Sequence, residues 1–274
     1  MKRSDNMTWG EKIGQHFQSA AKDVGDASRV LGVCLYGSQN YGLATENSDV
    51  DTKAFIMPSL SELIKYKKIS HQIEADEDGG LCDLKHLELM CQNFSKQNIN
   101  FLEILYTDYF ICRADFNDAY QELRDKRDFL TSAFPRRMLH ASAGMAEQKY
   151  HALRHPYESK KDVLAKYGYD PKQLASMLRL AYFINTYLKT EDFKTSITPE
   201  GSFKDLILAT KAGAFSEEKA VTMAQNCMAS INKTIAETVN PRYSASGHHV
   251  EEAQEFLDDW VERTISDYLR RTFK

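Results

Sequence analysis

Two aspartates, Asp49 and Asp51, stand two residues apart and follow a Gly37-Ser38 pair, Asp49 coming eleven positions after Ser38. These four residues are the chain's first candidates for chemistry. An apolar run at 30–36 leads into Gly37, and Asp51 opens the run Asp51-Thr52-Lys53-Ala54-Phe55-Ile56, so both halves predict strands. Residues two apart on a strand project from one face, which makes the two carboxylates converge. Such a pair repels itself and suits a hard cation. Mg²⁺ fits best, because it takes a few carboxylates, several waters and the phosphates of a substrate. Gly37 lets the backbone turn where a side chain would clash. Ser38 then falls at a helical turn, where its hydroxyl and nearby N–H groups can cap the turn or hold an anion. The pattern predicts a site for a metal-bound triphosphate. Gly-Ser also occurs in ordinary turns and Asp-x-Asp in solvated strand ends, so the order and spacing of the whole carry this reading.

A second set of charges lies further along. Lys172 and Arg179 are two helical turns apart in a segment opened by Asp170 and Pro171, a cap and a first-turn residue, so they share a helix face and can span a triphosphate. The competing reading is an amphipathic helix that buries Leu174, Met177, Leu178 and Ala181 and leaves both cations solvated.

Gly37-Ser38 followed by Asp49-Val50-Asp51 resembles the signature of the nucleotidyltransferase superfamily typified by DNA polymerase β. The likeness extends to the small predicted nucleotidyltransferases associated with RNA repair. Asp83-Leu84-Lys85 resembles that group's Asp-Leu-Lys segment, and Asn98-Ile99-Asn100-Phe101-Leu102-Glu103 its Asn-Pro-Asn-x-Leu-Glu segment, with Ile99 in place of proline. The helix carrying Lys172 and Arg179 resembles a later one. The resemblance implies a third carboxylate on a later strand, for which Asp83 is the candidate ahead of Asp76, Glu77 and Asp78. Those three fall in a charged stretch that reads as a solvated hairpin loop. Asp83 also reads as an N-cap for a helix starting near Leu84. By the same resemblance Asp49, Asp51 and Asp83 hold two Mg²⁺ ions, for which Mn²⁺ can substitute, and Asp83 can take the acceptor's proton. Gly37, Ser38, Lys172 and Arg179 bind the nucleotide. The implied reaction moves a nucleoside monophosphate from an NTP to a hydroxyl on an RNA end and releases pyrophosphate. Rival acceptors are a protein or small-molecule hydroxyl, as in toxin, antitoxin or antibiotic-modifying enzymes, or another nucleotide in second-messenger synthesis. A non-catalytic nucleotide-binding protein is the remaining alternative.

The elements that must position these residues divide in two. Residues 1–115 alternate strand-like and helix-like patterns, whereas 116–274 are almost wholly helical, with long helices expected near 133–155, 171–189, 217–239 and 250–272. The fold class is therefore α+β, a small mixed-sheet domain carrying the carboxylates followed by a bundle-like helical domain that completes the nucleotide and acceptor site. Residues 240–247, with a proline and a glycine, predict an exposed loop. With 42% hydrophobic residues over 274 positions, the chain can bury a substantial core.

Five cysteines without a Cys-x-x-Cys pair argue against a disulfide framework or structural zinc. No apolar run is long enough for a membrane span, and residues 1–6 do not begin a signal peptide, so a cytoplasmic protein is expected. A net charge of −4 does not favour long nucleic acid. However, Arg136, Arg137, His140, Lys149, His151, Arg154, His155, Lys160, Lys161 and Lys166 cluster among Tyr150, Tyr157 and Tyr167. This segment reads either as a path for an RNA end or as solvated helix faces.

Overall fold

The computed structural model describes residues 8–46, 48–155, 157–245 and 247–272. The opening residues, on which the signal-peptide reading rests, lie outside that set. The fold is mixed α+β: among the described residues one five-stranded sheet in the N-terminal part is followed by a helical region.

The strands are β1 (Val30–Tyr36), β2 (Asp51–Ile56), β3 (Ser70–Glu74), β4 (Leu81–His86) and β5 (Phe110–Cys112). Their order across the sheet is β3-β4-β2-β1-β5. The β2–β4 pair is parallel, and β1–β2, β1–β5 and β3–β4 are antiparallel. Alternation along the strands separates two faces. One face presents Val33, Leu35, Ala54, Ile56, Cys82 and Leu84 to Ile13, Ala20 and Ala21 of the helix Trp9–Val24. That helix is set by local signals: Thr8 and Glu11 form a reciprocal capping box, and Gly25 ends it at φ 74°. The opposite face carries Cys34, Tyr36, Asp51, Lys53, Phe55 and Asp83, in register with one another. Phe55 packs edge-on against Tyr120, whose hydroxyl donates to the Ile104 carbonyl at 2.6 Å.

The chain forms two units. Residues up to 40 together with 44–133 and 249–274 make the first, and 41–43 with 134–248 make the second. The division falls at 133/134, later than the change of periodicity near residue 115, and the last helix, Val250–Thr272, belongs with the sheet. The reason lies in its buried face. Trp260, 1% exposed, packs edge-on against Phe116 and donates its indole N–H to the Ala119 carbonyl, while Arg263 pairs with Glu122.

The second unit is built on the helix Pro171–Thr190. Asp170 caps it by accepting from the Lys172 N–H at 2.9 Å, and Leu174, Met177, Leu178, Ala181, Phe183, Ile184 and Tyr187 are buried along it. Around it stand Pro135–Ala152, Gly201–Lys211 and Glu217–Thr234. The last of these does not break before Pro241 as the sequence predicts. It widens into a π-turn at Ile235–Val239 and continues through Asn240–Arg242. A loosened ladder of this kind accommodates a residue that lacks an N–H and would clash with a regular preceding turn. Among the described residues no helix is long and apolar enough to cross a membrane.

Candidate active site

Strand β1 ends at Tyr36, and the chain turns through a single 3₁₀ turn, Gly37–Gln39, closed by the Asn40 N–H on the Gly37 carbonyl at 2.9 Å. Gly37 sits at φ +88°, a left-handed conformation that explains the glycine. Its N–H donates to Glu103 Oε2 at 3.1 Å, and the Asn40 side-chain amide donates to the Leu35 carbonyl at 3.0 Å. Thr107 in turn donates to Asn40 Oδ1 at 2.9 Å. The Gly37-Ser38 turn is thus pinned from below by a fully buried carboxylate and an amide.

Asp51 is directly opposite this turn, because the antiparallel register pairs it with Tyr36. A Cβ built on Gly37 would lie 3.9 Å from Asp51 Oδ2, and Asp51 Oδ1 accepts the Leu81 N–H at 3.2 Å. Asp49 is not on the strand with it. The strand begins at Asp51, and Asp49 is half-buried in the preceding loop, where the Ser48 N–H donates to the Thr45 carbonyl and the Thr45 N–H to Ser48 Oγ. Polar turn-forming residues hold this stretch out of the ladder.

Asp83 lies inside β4 and does not cap a helix. The strand runs on to His86, and the helix starts only at Leu87. Parallel pairing sets Asp83 beside Lys53, two residues along from Asp51 on the same face. Lys53 Nζ is 3.1 Å from Asp83 Oδ2, Lys85 Nζ is 3.0 Å from Oδ1, and both Lys53 and Asp83 are buried. Tyr36 and Phe101 wall the Lys53 ammonium, each ring centroid 3.9 Å away. Burial pushes the Lys53 ammonium below the ordinary lysine range, and the carboxylates of Asp83 and Glu103 oppose the fall. The Tyr36 hydroxyl is pushed well above its usual range, first by burial and then by Asp51, Asp83 and Glu103. These three carboxylates therefore act on one hydroxyl, and the Lys53 and Lys85 ammonium groups lie against one of them, Asp83.

A hard cation held by Asp49 and Asp51 would need water and phosphate oxygens to complete its shell. Asp83 accepts from Lys53 at Oδ2, and its Oδ1 has Lys85 Nζ 3.0 Å away but accepts no hydrogen bond. Among the described residues no group of three or more His, Cys, Asp or Glu side chains is arranged to hold a metal.

Asp76, read as a solvated loop charge, is a structural residue instead. Its carboxylate accepts from the Gly80 and Asp78 N–H groups and lies 3.0 Å from His16 Nε2, while His16 Nδ1 is 2.8 Å from Thr52 Oγ1 on the far face of the sheet. Lys53 and Glu103 are the residues sequence reasoning missed. The available signal was a charge inside an otherwise apolar segment, Lys53 within Thr52–Ile56 and Glu103 within Phe101–Leu105, where an ionised side chain needs a partner.

Lys172 and Arg179 belong to the second unit. Lys172 is exposed in the first helical turn, and the half-buried Arg179 lies over the Tyr41 ring at 4.4 Å. Tyr41 and its two successors are the residues of the loop after Ser38 that belong to this unit, and Lys211 Nζ donates to the Leu43 carbonyl at 3.1 Å. Burial lowers the pKa of Lys149, and the positive charges of Arg179 and Lys160 add to the effect. Within the basic segment Arg154 pairs with Glu217, Lys160 with Asp170 and Lys161 with Glu158, so acidic partners interrupt the cationic run.

No family model matches the chain, and comparison with the curated proteins finds no match either.

Proposed function

We propose that the chain is a metal-dependent nucleotidyltransferase, moving a nucleoside monophosphate from an NTP to a hydroxyl acceptor, with an RNA end as the first acceptor to test. The observation that carries this reading is the opposition of the Gly37–Gln39 turn to Asp51 at the mouth of the sheet. A phosphate held at the turn stands beside the carboxylate that attracts its cation. A divalent ion at Asp49 and Asp51, Mg²⁺ or Mn²⁺, supplies neutralisation of the triphosphate charge when bound. The chain's own residues do the rest. Ser38 offers its hydroxyl to the phosphates. Glu103 and Asn40 hold the turn rigid, so that the donors keep their positions as charge develops at the α-phosphorus. For Lys172 and Arg179 as ligands of the outer phosphates, and for RNA as the acceptor, the support is the resemblance described above.

The test is incubation with each α-labelled NTP, Mg²⁺ or Mn²⁺, total RNA and cell extract, beside the Asp49→Ala/Asp51→Ala double variant. Nuclease-sensitive label made only by the wild type is the expected result. Protease-sensitive label moves the acceptor to a protein hydroxyl, label on a small molecule moves it there, and bound but intact NTP with no label overturns transfer in favour of nucleotide binding.

A further inference from the structure

We infer that this chain takes one divalent cation, at Asp49 and Asp51, and that the Lys53 ammonium occupies the position where a second cation would join Asp51 to Asp83. The inference rests on the nucleotidyltransferase reading for the presence of an ion at all. Its own basis is the geometry around Asp83.

Lys53 is two residues from Asp51 on the same strand face and directly across the parallel ladder from Asp83. Its Nζ approaches Asp83 Oδ2 to 3.1 Å with 4% of the lysine side chain and 8% of the aspartate side chain exposed. The other Asp83 oxygen faces Lys85 Nζ at 3.0 Å. A cation ligating Asp83 through Oδ2 would have to displace the Lys53 ammonium, and at Oδ1, which accepts no hydrogen bond, it would meet the charge of Lys85. Lys53 has no easy way out: the Tyr36 and Phe101 rings hold its head from two sides, an arrangement favourable to a cation and shut to water. Moving it would also leave Asp83 and the fully buried Glu103 without this nearby positive charge, and a buried charge stripped of its counter-charge is strongly unfavourable. A lysine fixed in this way supplies the positive charge that a second ion would bring, without an exchange step. Asp83 is then a positioning residue that aims the ammonium, and Asp49 with Asp51 suffices for one Mg²⁺, whose remaining ligands are water and phosphate.

The experiment counts Mn²⁺ bound per chain by electron paramagnetic resonance, using a non-hydrolysable NTP analogue at one equivalent of the full-length protein. One bound Mn²⁺ per chain is expected in the wild type, falling to the analogue-only background in Asp49→Asn/Asp51→Asn. Lys53→Met keeps the aliphatic volume and removes the charge; where circular dichroism shows it folded, two Mn²⁺ per chain are expected. Two ions in the wild type overturn the inference and leave the nucleotidyltransferase reading standing. One ion in a folded Lys53→Met variant overturns the substitution of ammonium for metal. A wild-type count no higher than that of Asp49→Asn/Asp51→Asn overturns the metal-dependent reading and the inference together. If Lys53→Met does not fold, the wild-type count alone decides.

Discussion

The indole N–H of Trp260 donates to the main-chain carbonyl of Ala119 at 2.9 Å, joining residues 141 positions apart. The last helix is thereby part of the sheet-bearing unit. Trp260 is almost fully buried against Phe116, so Trp260→Ala removes both a large apolar contact and a partner of the part-buried Ala119 carbonyl. The expected cost is about 3–5 kcal/mol, read as a drop in the urea midpoint. A chain ending at residue 248 should fail to give a folded first unit by circular dichroism. A stable truncated chain would show that the helix is dispensable.

Asp51→Asn keeps an oxygen that can accept the Leu81 N–H and removes only the charge. Transfer is expected to fall about 10²-fold or more, while the melting temperature moves by no more than a few degrees. Labelled NTP turnover and a thermal melt on the same preparation check both halves. Near-normal turnover would remove Asp51 from the machinery.

At Gly37 the space and the backbone give opposite answers. A methyl group would meet nothing closer than 3.9 Å, yet the φ of +88° strains any L-residue. Gly37→Ala is therefore expected to cost about 1–2 kcal/mol from conformation alone. It is also expected to weaken NTP binding as the turn shifts, seen as a raised KM with kcat less affected. Unchanged stability together with unchanged KM would mean that the turn does not position nucleotide.

His86 gives the chain a pH-dependent component of stability. Burial holds its imidazole below the ordinary value of 6.5; Glu62 opposes this and Arg29 adds to it. The unfolded chain therefore takes up the proton first as pH falls. This component is fully present above about 6.5 and is lost as pH falls through the lower folded value. Denaturation from about pH 7.5 to about pH 5.5 should show a steeper loss of stability for the wild type than for His86→Gln. Equal losses would assign the slope to other groups.

Much of the architecture was legible because its signals are local. The apolar run ending at Gly37 marks β1 at Val30–Tyr36. Asp170 with Pro171 marks the start of the helix Pro171–Thr190, and the span 250–272 matches the last helix. Caps, turns and periodic apolar residues act over three or four positions, so they survive in one dimension. The opposition of Gly37 and Asp51 was foreshadowed in the same way, by a strand, a turn and a strand in close succession.

What escaped the sequence depends on which distant segments pair. Whether Lys53 is a solvated strand charge or the counter-ion of Asp83 is decided by the parallel register of β2 and β4, which sets residues 30 positions apart side by side. Asp76 reads as solvated because its neighbours are charged, and only the placement of His16 against the sheet shows its carboxylate paired. Glu103 sits in an apolar run, and its purpose emerges only where the chain brings the Gly37 N–H to it across 66 positions. The elements and the carboxylates they carry are readable along the chain, since propensity, capping and side-chain chemistry are properties of short segments. The tertiary structure decides which carboxylate faces a lysine, because burial and long-range register set the partners of each charge.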